Sequence, residues 1–287
     1  MKQLFIAGCG YTGQRVAIAA RRDGWQVAAQ LRDETKAAAV MQQGVAVHLC
    51  NMDHLEEIPV VPLNGRVLLY SIPPQGGGSI DLRARNLCAA LERDRQLPAR
   101  IVYLSATSVY GDTGGAPVTE QSPTNATSPM GKRRLDAEQQ FQRFARQHDI
   151  PLVILRVSGI YGPGRLPLMQ ISQGQPLLQE TLARPSNRIH VDDLVQACLA
   201  ALERGAGIYT ISDGHPSSMT SYFNACADAL GLPRQPQVDL EEARRVMPPL
   251  LFNYFVESRV VDNRRMLADL GISLRYPTLA EGLAASI

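Results

Sequence analysis

Strong charge of either sign is missing from this chain: 29 Lys and Arg stand against 27 Asp and Glu, a formal net charge of +2 over 287 residues. A balance so close to neutral does not call for nucleic acid or an anionic membrane as partner. Cysteine is scarce as well. The five cysteines (Cys9, Cys50, Cys88, Cys198 and Cys226) are scattered, odd in number and show no C-x-x-C spacing, so neither a disulfide framework nor a zinc site is indicated. They read as small buried hydrophobes in a reducing compartment. Long apolar runs are absent: the N-terminal one is too short for a signal-peptide core, and none approaches membrane-spanning length. A cytoplasmic protein without a membrane segment is expected. No internal repeat or low-complexity tract is visible.

What is present is concentrated at the start. Leu4, Phe5, Ile6 and Ala7 form a short apolar run that leads directly into Gly8-Cys9-Gly10-Tyr11-Thr12-Gly13. The run reads as a buried strand, and the apolar periodicity after Gly13, ending at Gly24, reads as a helix packed on it. In a strand-to-helix turn the three glycines have distinct roles. Gly8 permits the tight turn, Gly10 lets a pyrophosphate approach bare backbone, and Gly13 lets helix and strand pack closely. Free amides at the helix N-terminus, including those of Tyr11 and Thr12, would hold the anion. A second strand over residues 26–31 ends in Gln30-Leu31-Arg32, with no acid for the adenosine ribose. Arg32 is placed to meet a 2′-phosphate, which favours NADP(H) over NAD(H); the alternative is that Asp33 takes the ribose.

Strands and helices then alternate. A helix is expected over 34–43, strands over 45–49 and 66–70, a helix over 80–93, a strand over 100–104, a helix over 133–148 and a strand over 152–156. Asn51 and Asp53 follow the third strand, where a polar side chain either bonds the adenine amino group or serves the loop. Ser71, Ile72 and Pro73, with the glycines at 76–78, fit a loop passing over the cofactor. Alternation without hairpin signals predicts an α/β Rossmann fold, a doubly wound parallel sheet with ligands beyond its C-terminal strand ends. Prolines interrupt the chain from Gly159 onward. A helix over 192–202, capped by Asp192 or Asp193, and a strand over 208–211 return to the core. The division that follows assigns 1–164 with 186–212 to a dinucleotide-binding domain and 165–185 with 213–287 to a smaller C-terminal substrate lobe.

Four stretches occur in the order of one family: the glycine turn, Ser105-Ala106-Thr107-Ser108-Val109-Tyr110-Gly111, the segment Leu155 to Arg165 containing Tyr161-Gly162-Pro163-Gly164, and Arg188-Ile189-His190-Val191-Asp192-Asp193. The sequence resembles the NAD-dependent epimerase/dehydratase family, extended short-chain dehydrogenases that act largely on nucleotide sugars. The resemblance implies a tyrosine as general acid or base, a lysine four residues later that lowers its pKa and holds the nicotinamide ribose, and a Ser or Thr that bonds the substrate oxygen. Here those positions fall on Met130, Arg134 and Ala106. A thioether cannot move a proton, an alanine methyl cannot bond an oxyanion, and arginine stays charged.

Arg134 remains able to hold a ribose, and the resemblance adds Val157 to the cofactor set. Tyr110 and Thr107, together with Arg134, are the residues left for catalysis, while Tyr110 also reads as packing under a loop. Ser108, Met130 and Arg165 are expected around a small phosphorylated or nucleotide-linked substrate. The basic cluster at 132–134 reads either as an anion site or as a solvated first helical turn. The resemblance extends to the helices through which family members pair, so a homodimer is expected. Two functional readings follow: an atypical oxidoreductase or epimerase, and a catalytically silent NADP(H)-binding sensor.

Overall fold

The computed structural model describes residues 1–249 and 251–287. Seven parallel strands form the central sheet: β1 (Gln3–Ala7), β2 (Gln26–Leu31), β3 (Ala46–Leu49), β4 (Val67–Tyr70), β5 (Arg100–Ala106), β6 (Leu152–Val157) and β7 (Gly207–Ile211). Their order is β7-β6-β5-β4-β1-β2-β3. Parallel neighbours need long crossovers. These are supplied chiefly by helices α1 (Tyr11–Arg22), α2 (Glu34–Gln42), α3 (Leu82–Arg93), α4 (Pro129–Gln147) and α5 (Val191–Glu203).

The alternation of β1 shows why both faces are covered. Leu4 and Ile6 join one apolar cluster with Val16 of α1 and Leu194 of α5. Phe5 and Ala7 point the other way and join Leu87 of α3 and Phe141 of α4. Burying each such large side chain contributes about 1.5–3 kcal/mol. Strand order reverses at β1, which is flanked by β2 and β4. A doubly wound sheet opens its ligand crevice at that point.

Several element boundaries differ from the sequence expectation. Helix α4 begins at Pro129 rather than 133, because Ser128 caps it: its Oγ accepts from the Gly131 amide at 3.1 Å. Helix α3 starts at Leu82, with the Asp81 side chain as its cap. The cap of α5 is His190, whose Nδ1 accepts from the Asp192 amide, whereas Asp193 takes the amides of Arg275 and Tyr276.

A second, smaller core lies outside the sheet, built from residues such as Tyr161, Leu178, Phe223 of α6 (Met219–Ala229), Phe255 of α7 (Pro249–Val256) and Leu283 of α8 (Leu279–Ala284). The expected lobe does not run unbroken to the C-terminus. Met266, Leu270 and Ile272 pack into the core of the sheet, and Val260–Val261 pair with Pro117–Val118. Their apolar side chains are buried by that return.

Candidate active site

The glycine turn sits at the C-terminal end of β1. Gly8 has φ +91°, and a Cβ there would meet the Ile72 amide nitrogen at 2.7 Å. Gly13 is excluded from larger residues by contact: its Cβ would lie 2.7 Å from the Gly8 carbonyl oxygen and 3.2 Å from Ile6. Gly10 is different. It has φ −86°, and nothing in the protein lies within 4 Å of where its Cβ would be. It is also the N-cap of α1 with no side-chain cap, so the first-turn amides lack a partner of their own. Nothing in the fold requires glycine at 10. The space over it suits a group that must touch backbone.

That space opens into a cavity of about 270 Å³ lined by Gly8, Gly10, Arg32, Asn51, Ser71, Ile72 and Pro73, all expected from the sequence at the cofactor. Tyr11, Thr12 and Gly13, in the first turn of α1, do not line it, and the Tyr11 hydroxyl donates to the Pro163 carbonyl. Ser71 Oγ donates to the Gly8 carbonyl at 2.6 Å, tying the loop after β4 to the turn. Asp33 also lines this cavity. Its carboxylate caps α2, accepting from the Lys36 and Thr35 amides, and those bonds hold it below the usual carboxylate range. Asn51 Oδ1 accepts from the Asp53 amide.

Arg83, which the sequence did not single out, lines the same cavity. It holds Asp53 through two bonds of 2.5 and 3.1 Å, with Arg32 3.7 Å from the same carboxylate, and donates to the Pro73 carbonyl. The Arg83 hydrogen bond keeps the Asp53 carboxyl below its usual range.

A second cavity, about 310 Å³, lies between the ends of β5 and β6 and the small lobe. It brings together Thr107, Ser108, Met130, Val157 and Arg165, together with Ala106. Met130 is 38% exposed. The small lobe adds Asn253, Tyr254, Glu257 and Arg259, the family stretch at 188–193 adds Arg188, and the β6 end adds Ser158. The sequence offered no signal for the lobe residues, which lie far along the chain and meet the site only through folding. Among the described residues no cluster of His, Cys, Asp or Glu could hold a metal ion.

Two residues expected in catalysis stand elsewhere. Tyr110 is buried and lines neither cavity; its ring lies under the Arg156 guanidinium at 4.8 Å, and burial pushes its phenol up. Arg134 also lines neither, because its Nη1 turns inward to the Leu104 carbonyl at 2.8 Å and to Tyr103. In the basic cluster Arg133 is buried and its Nη1 donates to the Gly77 and Gly78 carbonyls, while Lys132 is exposed. Tyr161 is buried against His190.

The model of the NAD dependent epimerase/dehydratase family matches residues 82–212, which include the β5 end, α4 and the β6 end around the second cavity. The chain belongs to the NAD-dependent epimerase/dehydratase family. A solved structure of a conserved protein of unknown function from Silicibacter pomeroyi DSS is similar over 99% of this chain and 98% of its own, with 30% identity and a TM-score of 0.82. A 3-diazoavenalumate denitrifying reductase from a Streptomyces species is 25% identical, covering 99% of each chain. The fold is shared with a UDP-glucose 4-epimerase from Thermotoga maritima solved with UDP-glucose, at TM-score 0.78 and 17% identity over 99% of this chain and 97% of that one. This member of the epimerase/dehydratase family therefore resembles nucleotide-sugar enzymes in fold. Among the described residues no helix is long and apolar enough to cross a membrane.

Proposed function

We propose that this protein binds NADP(H) and transfers hydride between the nicotinamide and a small phosphorylated or nucleotide-linked substrate, without the family's tyrosine. The open space over Gly10 carries this reading. A glycine that neither backbone angle nor packing demands, at an uncapped helix N-terminus, fits a pyrophosphate against the Gly8–Gly13 turn. Preference for the phosphorylated dinucleotide is supported by two features of the first cavity. Arg32 and Lys36 line it, and Asp33, which lines it as well, caps α2 through Oδ1 and has Lys36 3.4 Å from Oδ2.

The bound dinucleotide would supply a hydride donor or acceptor. The protein's part is to position the ring between Val157, Ala106 and Met130 and to give the substrate oxygen hydrogen bonds from Thr107 and Ser108. Proton transfer falls to water, to the substrate or to Tyr254, which lines the cavity from α7. The full-length similarity to a reductase supports an oxidoreductase over a purely structural protein.

A second reading follows from the same substitution. An apolar thioether facing the cavity at the family's acid-base position also suits a catalytically silent NADP(H) sensor. Calorimetry with NADPH and NADH, followed by NADPH oxidation against carbonyl compounds and sugar nucleotides, separates the two. Turnover that changes in Met130→Tyr supports the enzyme. Tight NADPH binding without turnover supports the sensor, and no heat with either dinucleotide defeats both.

A further inference from the structure

The second cavity is polar at both ends. Ser108 and Ser158 line it at the ends of β5 and β6, and the hydroxyl of each is buried without a hydrogen-bond partner among the described residues. Ser158 is only 6% exposed. An unpaired buried hydroxyl is costly, and rotation about χ1 is the small movement that brings one to bear on a ligand oxygen.

The other end is cationic. Three arginines and one carboxylate line the cavity. Arg259 is occupied by Glu257 at 3.0 Å and by the Gly111 carbonyl. Arg188 is occupied inside the lobe, where it donates to Ser217, Ser218 and Met219, lies over Tyr222 and has Asp213 nearby. Arg165 has no carboxylate partner among the described residues. It is exposed, with its guanidinium 5.0 Å from the ring of Tyr11 in the glycine turn. The volume, about 310 Å³, is at the low end of the range of roughly 300–1,000 Å³ for small-molecule sites. A nicotinamide ring entering between Val157 and Ala106 would occupy part of it.

Resting on the NADP(H) reading, we infer that the cavity takes a compact oxyanion-bearing substrate, a small organic acid or phosphate ester without a nucleotide, whose anionic group meets Arg165 and whose reacting end lies against Ser108 and Ser158. A nucleotide-linked compound would need room for a base and ribose beyond this volume. Charge attracts the acid to Arg165, and the two serine hydroxyls set which end faces the hydride.

The test titrates NADP⁺-saturated protein with malonate, inorganic phosphate and UDP-glucose, following ligand-observed NMR and heat. Malonate or phosphate is expected to bind, and whichever binds tighter identifies the acid or the phosphate ester. Arg165→Gln, at an exposed position, should weaken that binding about tenfold, and Ser158→Ala about threefold. UDP-glucose binding that is 100-fold tighter than either small anion overturns the inference, as does small-anion binding indifferent to Arg165→Gln. If no dinucleotide is taken up but malonate or phosphate still binds in an Arg165-dependent way, the cofactor reading fails and this one stands.

Discussion

The guanidinium of Arg134 donates to the carbonyl of Leu104 at 2.8 Å, so a side chain expected from the sequence at the cofactor supports a strand instead of facing the cavity. Removing it strands a buried carbonyl, a loss of about 1–3 kcal/mol. Arg134→Met should therefore lower the urea midpoint while changing NADPH affinity less than about threefold. An affinity loss with unchanged stability would return Arg134 to the cofactor.

The turn glycines should separate by cause. Gly13→Ala drives a methyl to 2.7 Å from the Gly8 carbonyl, an overpacking cost of about 1–3 kcal/mol. Gly10→Ala meets nothing in the protein and should cost under about 1 kcal/mol, chiefly from a poorer cap. Its NADPH affinity should nonetheless fall by about tenfold or more, because the methyl occupies the pyrophosphate's approach. Thermal melts and calorimetry on the two variants measure both quantities.

Beneath the second cavity, Arg156 holds Glu138 at 2.8 and 3.1 Å, and Ser105 donates to the same carboxylate at 2.6 Å. Both members of the ion pair are buried. Glu138→Ala leaves a buried cation unpaired and should cost about 3–5 kcal/mol. Glu138→Leu combined with Arg156→Met should cost much less than the sum of the single changes, which denaturant unfolding of the four proteins would reveal.

Burial raises the Asp213 carboxyl from 3.8 to about 6. A folded-state pKa above the unfolded one means that its contribution to stability is full below about pH 4 and is lost as pH rises through about 6. Asp213→Asn keeps an acceptor for the His215 amide and removes this pH dependence. Its melting temperature should exceed that of the parent above pH 6, by at most about 3 kcal/mol in stability, and the difference should shrink toward pH 4. A constant difference across that window would assign the effect to packing.

Arg133 fastens the loop after β4 through the Gly77 and Gly78 carbonyls, at 3.2 and 2.9 Å. Arg133→Met should speed amide exchange over residues 75–79 by about tenfold while leaving β4 protected. Unchanged exchange there would mean that Ser71 and Pro73 hold the loop without it.

Much of the scaffold is local chemistry written along the chain. The apolar run at Leu4, the glycines at 8, 10 and 13 and the alternation of strand with helix each specify structure within a few residues, so the sheet and the first cavity were legible before folding was considered. Direction was not. Tyr110 and Arg134 lie in the right segments yet turn under Arg156 and toward Leu104, because buried rings and guanidinium groups go where packing and carbonyl partners exist. Nor could spacing bring Glu257 and Arg259 to the β5 end, or send Met266 back to the sheet. Sequence by itself determined the backbone that fits a dinucleotide. Only tertiary structure decided which side chains face the second cavity, because facing depends on contacts between residues from about thirty to about 150 positions apart.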